Sequence, residues 1–433
     1  MKKLSVVCAL IAFGGLAAST FADVQNIRIS GDIRIRGYYL NDVVQNTTGT
    51  KPADTSFISQ RTRVTVEADL EDHILAVVTI RAEGLWGAND ESAGTSGAGW
   101  STTRINRGWD VGIDEAYVQF NEMFWSAATL KLGRQYLNYG HGLILSSFEQ
   151  EYNYDAARLV LDFYPLVIDV VGAKLCEGST FTSVNSGHGG SDLLFLNARY
   201  EMANSPIKDV EAYIGYVSQP GSANIVSTRV PPTDATGASP VIMGLRADLA
   251  PVKNWDIWAE GAYEFGTQSL SAWLVNLGTQ FTMKDVKWTP ALNANYIYAS
   301  GGGKGCTFIP WFNYGYNGYL FNPVLANVHI FNLGASVKPS KNTSLALEGY
   351  YYLKANRNVN VASAANTDFG GFGFVGLATS DNVGIEVDAI AGYDYSKDVR
   401  VQLVYGVFVP DNAFSGVIAS TAQEVRGEIN VKF

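Results

Sequence analysis

The sequence predicts an all-β chain that closes into a transmembrane antiparallel β-barrel of about 18 strands. Three observations carry this prediction. Apolar and polar residues alternate with period 2 along nearly the whole chain, which is the signature of strands with two different faces. Short turns alternate mostly with long polar loops, the asymmetry of outer-membrane barrels. The last residues, Val425 to Phe433, keep the alternation to the end and stop on an aromatic. A strand of about ten residues tilted by roughly 45° just crosses a bilayer, so this tail reads as a closing strand.

The N-terminus comes first in the order of elements. Lys2 and Lys3 precede an apolar run from Leu4 to Ala18 and the small-residue site Thr20-Phe21-Ala22, which reads as a secretory signal peptide over 1–22 cut after Ala22. The run is shorter than the roughly 20 residues of a spanning helix. Residues 23–433 then form one barrel domain. In the first strand, from Asn26 to Leu40, Ile27, Ile29, Ile33, Ile35 and Tyr39 share one face, while Arg28, Ser30, Asp32, Arg34 and Arg36 share the other. The second sets Val64, Val66, Ala68 and Leu70 against Arg61, Arg63, Glu67 and Asp69. After a turn at Glu71-Asp72, the third sets Ile74, Ala76, Val78 and Ile80 against Arg81 and Glu83. Later segments keep the phase: Leu245, Ala247 and Leu249 oppose Arg246 and Asp248, and Ile385, Val387 and Ala389 oppose Glu386 and Asp388.

Short turns are expected at Asn204-Ser205-Pro206, 251–254, 338–342 and Ser396-Lys397. The longest loops are expected at 41–56, 87–110, 176–191, 218–238, 300–326 and 355–381. A soluble β-sandwich would also alternate, but it would hide the apolar face in a core. The strand number, its evenness and aromatics near strand ends favour the barrel; these include Tyr38, Tyr39, Trp86, Trp125, Phe163, Tyr164, Tyr200, Trp255, Phe281 and Trp288.

Composition agrees. Tyr (23), Phe (21), Trp (9) and Gly (44) are abundant while mean hydropathy is near zero, as suits a barrel with a wet interior. Removing Lys2 and Lys3 takes the formal net charge from −10 to −12, which disfavours a nucleic-acid partner. Cys176 and Cys306 fall in expected outer loops of an exported chain, where a disulfide and two free thiols are both open. Two cysteines are too few for a metal site, and no cofactor is expected.

Of the sixteen arginines, eleven lie on the polar phase of expected strands: Arg28, Arg34, Arg36, Arg61, Arg63, Arg81, Arg158, Arg199, Arg246, Arg400 and Arg426. A guanidinium fork suits carboxylates, so an arginine-lined bore suits an anionic solute. Inward acids, among them Glu83, Glu115, Glu386 and Asp388, offer cross-strand partners as the alternative role. Closure brings the first three strands beside Arg400 and Arg426, so the bore is expected to be basic on one wall and acidic on another.

Catalysis is disfavoured. His141, in Tyr139-Gly140-His141-Gly142 with Ser146 and Ser147 nearby, lacks an orienting acid at a matching spacing and reads as a polar residue at an outer strand end. Gly301-Gly302-Gly303-Lys304 lacks the spacing and context of a phosphate loop.

Three early segments, Lys131-Leu132-Gly133-Arg134-Gln135, Tyr139-Gly140 and Asp155-Ala156-Ala157-Arg158-Leu159, resemble the alginate export family of outer-membrane barrels. So do Gly384-Ile385-Glu386-Val387-Asp388, Tyr393 and Gly406-Val407-Phe408-Val409-Pro410. The resemblance implies an 18-stranded channel that passes an anionic polysaccharide or smaller solute through an arginine-lined constriction. By position Arg134, Arg158, Glu386 and Asp388 carry over. Strict alternation from Leu130 and Leu132 faces Arg134 to lipid, and a bulge at Gly133 would turn it inward. The many inward acids depart from a purely electropositive bore.

The expected protein is therefore a passive channel integral to the outer membrane of a bacterial cell, with both termini periplasmic. Its expected partners are lipid, the assembly machinery that reads a terminal aromatic, and a charged solute. A general nutrient-uptake porin, or a structural barrel whose outer loops matter more than its bore, is the alternative. The loop segment Phe308-Ile309-Pro310-Trp311-Phe312-Asn313-Tyr314-Gly315-Tyr316 serves that alternative or folds inward as a plug.

Overall fold

The structure, a computed structural model, describes residues 26–42, 54–71, 73–87, 109–147, 152–176, 191–218, 239–302, 305–311, 317–362, 375–376, 379–414 and 420–433. The expected signal peptide lies outside them. Eighteen antiparallel strands form one sheet. They are β1 (Asn26–Asn41), β2 (Thr55–Asp69), β3 (Ile74–Leu85), β4 (Asp110–Phe120), β5 (Ala128–Gln135), β6 (Tyr154–Phe163), β7 (Leu166–Cys176), β8 (Ser191–Glu201) and β9 (Ile207–Ser218). The second half comprises β10 (Pro240–Val252), β11 (Trp255–Gly266), β12 (Ser271–Thr282), β13 (Ala291–Ala299), β14 (Val328–Val337), β15 (Thr343–Lys354), β16 (Asn382–Asp394), β17 (Val399–Pro410) and β18 (Ala422–Lys432). A two-residue ribbon, Val361–Ala362 with Val375–Gly376, lies between β15 and β16.

Each strand pairs with its sequence neighbours, and β1 pairs with both β2 and β18, which closes the barrel and leaves no edge. The start of β1 lies beside the end of β2 (Asn26 opposite Asp69) and near the end of β18 (Asp32 opposite Lys432). Both ends of the barrel sequence therefore share one rim with the short turns.

Burial is inverted relative to a soluble sheet. Leu245 is 58% exposed and Ile214 44% exposed, whereas Glu264 and Glu386 are at 0%. An apolar outer face and a polar inner one are stable only where lipid surrounds the wall. Trp125, Phe163, Tyr164, Tyr200, Trp255, Phe281 and Trp288 are exposed near the short-turn rim, as aromatic anchors of an interface would be. Tyr38 departs from that expectation. It is on the inward phase with Arg34 and Arg36, is buried, and stacks on Phe57 at 4.8 Å between ring centroids.

Candidate functional site

The site is the lumen, and its wall over β18, β1, β2 and β3 is the arginine-rich sector. Register sets Arg34 opposite Arg61, Arg63 opposite Arg81, and Arg36 opposite Glu428. Like charges facing each other across a ladder repel unless acids interleave them. Here they do. Arg63 Nε donates to Asp32 at 2.6 Å, Arg61 lies 3.5 Å from the other Asp32 oxygen, Arg36 Nε donates to Glu428 at 2.5 Å, and Arg81 pairs with Glu83.

Asp114 completes this network, and sequence reasoning missed it. The β3–β4 ladder slips between Thr79 and Ile80, opposite Glu115 and Ile113, so Asp114 is an extra residue in a bulge. The bulge carries Asp114 to within 3.8 Å of Arg63 and 3.9 Å of Arg81, where it also accepts the Tyr136 hydroxyl at 2.5 Å. The break in alternation at Ile113-Asp114-Glu115 was the available signal. Arg34, Arg36, Arg61, Arg81 and Arg426 are all buried, so this wall is a compact ionic network rather than a row of extended side chains.

Other expected lining residues separate. Glu115 is half-buried, with its carboxylate 3.4 Å from the Thr79 hydroxyl. Arg158 donates to Asp169 at 2.6 Å and its guanidinium lies over the Tyr139 ring. Arg134 stays outside. Gly133 has a φ of 124°, yet the pairings of β5 with β4 and β6 run without a slip, so Arg134 keeps the phase of Leu130 and Leu132. Its guanidinium holds Asp155 with two bonds of 2.8 Å on the outer face. The positive φ changes the local backbone but inserts no residue, so the side chain is not turned inward. Cys306 is a free, exposed thiol; the side chain of Cys176 lies outside the described residues.

Two long-loop-end connections fold into the lumen. The first joins β5 to β6. Tyr139 N–H donates to Leu145 O at 3.0 Å and Gly142 N–H to Tyr139 O at 3.1 Å, making a tight tip. Gly140 N–H donates to Glu211 Oε1 at 3.0 Å and His141 N–H to Glu260 Oε2 at 2.9 Å. His141 is thus at the tip of an inward loop, not at a strand end. Its ring meets Asp248, Arg246, Glu260 and Asn276, while Ser146 Oγ donates to Asn138 instead.

The second connection joins β13 to β14, and its Phe308, Ile309 and Trp311 are buried against the wall; 312–316 lie outside the described residues. Glu264 accepts the Ile309 N–H at 2.8 Å and the Trp311 indole N–H at 2.5 Å. Glu386 accepts the N–H groups of Leu320 and Phe321 at 2.7 and 2.8 Å, and Asp388 accepts from Tyr319 at 3.3 Å. Hydrogen bonds of this kind each contribute roughly 0.5–1.5 kcal/mol net. Glu386 and Asp388, expected to line an open bore, are instead fully covered by the loop they hold. Phe321 then stacks on Phe408 at 4.7 Å, and Arg426 lies 4.4 Å from the Tyr319 ring centre.

Both loops approach a carboxylate through a glycine with positive φ. A β-carbon would stand 2.4 Å from Glu260 at Gly140, and 2.2 Å from the Tyr352 hydroxyl at Gly318. Neither backbone could reach its acceptor with a larger residue. The wall carboxylates expected to form an open acidic face therefore act mainly as fasteners.

Nearer the short-turn rim, β11 to β15 carry a different surface. The Trp258 indole donates to Asn295 at 3.2 Å, and Asn293 and Asn332 both donate to Glu348 Oε2, at 3.1 and 2.9 Å. Trp258 fits because Gly278 leaves room for its ring. This wall offers amides and an aromatic face to the lumen.

A closed 18-stranded barrel with an apolar outside, a charged inside and loops folded into its lumen is an outer-membrane channel. The chain belongs to the alginate export family, whose model matches residues 26–427. Its fold is similar to that of OccAB4 of Acinetobacter baumannii (11% identity, TM-score 0.57, 94% of this chain and 99% of that one). It is similar also to OccK11 (OpdR) of Pseudomonas aeruginosa (12%, 0.57, 95% and 97%) and to OccK2 (OpdF) of the same organism, solved in complex with glucuronate (9%, 0.57, 95% and 97%). No curated protein matches the chain in sequence. Family and fold are those of passive outer-membrane channels, not of enzymes.

Proposed function

We propose that the channel passes an anionic, hydroxyl-bearing solute, a sugar acid or a polysaccharide of sugar acids, along an arginine-rich wall. The observation that carries this reading is the gathering of Arg34, Arg36, Arg61, Arg63, Arg81 and Arg426 on four adjoining strands. These arginines supply positive potential to one side of the lumen, and a guanidinium fork matches a carboxylate. The amide and indole groups of Asn293, Asn295 and Trp258 suit hydroxyls. Glucuronate in OccK2 is a solute of this chemistry. In this reading the short-turn rim and both termini are periplasmic, and Phe433 is presented to the assembly machinery.

Reversal potentials in a KCl gradient across planar bilayers test the charge preference, and liposome swelling tests the solute. Anions should carry most of the current, and glucuronate should enter faster than a neutral hexose of similar size. Cation preference, or equal swelling rates, would reject the reading.

A barrel closed by its loops is the second reading. It is favoured by the burial of Phe308, Trp311 and Phe321 inside the lumen. Absence of single-channel conductance from the folded protein would establish it in place of the first.

A further inference from the structure

The ring of His141 sits in a field of competing partners. Nε2 is 2.9 Å from Asp248 Oδ1, an acceptor, and 2.9 Å from Arg246 Nε, a donor. Nδ1 is 3.2 Å from Glu260 Oε2, an acceptor, and 3.3 Å from the Asn276 side-chain amide. A histidine with a purely structural role needs one donor and one acceptor, which fix one tautomer. Here Nε2 has both, and Nδ1 has an acceptor beside an amide that serves as its donor. The ring can therefore gain or lose a proton without moving away from its neighbours.

We propose that His141 is a proton-operated positioning residue for the β5–β6 loop. Protonated, it ties the loop tip to Asp248 and Glu260 together. Neutral, it accepts from Arg246 at Nε2, keeps one bond to Glu260 through Nδ1–H, and releases Asp248. The tip then has one fewer attachment to the wall and fluctuates more, which changes the passage it borders.

The surrounding charges favour the protonated form. β9 contributes Glu211, which accepts from Gly140 and from Arg246 at 2.6 Å, and Asp209, 3.4 Å from Arg246. β10 contributes Arg246 and Asp248, β11 contributes Glu260, and β12 contributes the neutral Asn276. Tyr213 donates to Glu260 at 2.8 Å and holds it in place. Burial works against a charged ring, but Glu260 and Asp248 outweigh it and Arg246 only partly offsets them, so the His141 pKa lies above its ordinary 6.5. The charged tie is complete below that ordinary value and is lost as pH rises through the raised one.

The test is single-channel recording of the full chain in KCl from about pH 5.5 to about pH 8.5, the range in which a raised histidine titrates. Wild type should pass from a quiet open level to a noisier one with a midpoint above 6.5. His141→Lys should stay quiet throughout and His141→Gln noisy throughout. If either variant fails to insert, Asp248→Asn in place of it should move the wild-type midpoint down. A wild-type pH profile retained in His141→Gln, or an unmoved midpoint in Asp248→Asn, would overturn the proposal. Because KCl carries the current, failure here is distinguishable from failure of the sugar-acid reading.

Discussion

Phe433 and Gly31 exchange backbone hydrogen bonds of 2.8 and 3.0 Å across the seam where the barrel closes. The Phe433 ring occupies the space over Gly31, where a β-carbon would stand 2.7 Å from it and 2.3 Å from the Arg63 carbonyl oxygen. The last residue of the chain therefore contributes backbone pairing and packing at the point that eliminates the sheet edge.

Gly31→Ala should weaken closure, because the added methyl meets backbone as well as ring. Overpacking of this kind costs roughly 1–3 kcal/mol. The folded fraction recovered after refolding into detergent should drop. Recovery equal to wild type would show that the seam tolerates the shift.

Glu386→Ala should free the β13–β14 loop near Leu320. It removes the acceptor of two backbone N–H groups, and a buried donor left unsatisfied costs roughly 1–3 kcal/mol. Limited proteolysis of the folded barrel should gain a cleavage around Tyr319 to Phe321 and open-channel noise should rise. A loop as resistant as in wild type would mean that Phe321 packing on Phe408 holds it unaided.

Arg134→Ala should leave ion selectivity unchanged, since its guanidinium is spent on Asp155 outside the lumen. Arg63→Gln, on the inner wall, should shift the reversal potential toward cations. A shift from Arg134→Ala equal to that of Arg63→Gln would contradict the outward placement.

Much of the architecture was legible because a side-chain period of 2 assigns every residue of a strand to one of two faces. The alternation of Ile33 and Ile35 with Arg34 and Arg36 needed no tertiary information. Asp114 escaped because its bulge shows in the sequence only as two polar residues in succession, Asp114 and Glu115, and which of them is the extra one is set by the pairing with β3. Tyr38 reads as an interface aromatic from its place near a strand end, although its spacing from Arg34 and Arg36 already puts it on the inward phase. His141 and the loop carboxylates escaped for a further reason: Glu260 lies 119 residues beyond His141, and Glu386 lies 65 residues beyond Phe321.

The sequence by itself determined that this chain is a lipid-facing barrel of about 18 strands, which face most residues of the regular strands take, and that arginine gathers around its seam. These follow from local periodicity and from strand order, both written along one dimension. Only the tertiary structure decided what the inward charges do. Register chose Asp32 and Glu428 as arginine partners, and two loops crossed the lumen to spend Glu211, Glu260, Glu264, Glu386 and Asp388 on their own backbone amides. A buried carboxylate is stable where donors converge on it, and convergence from distant segments is a property of the closed barrel.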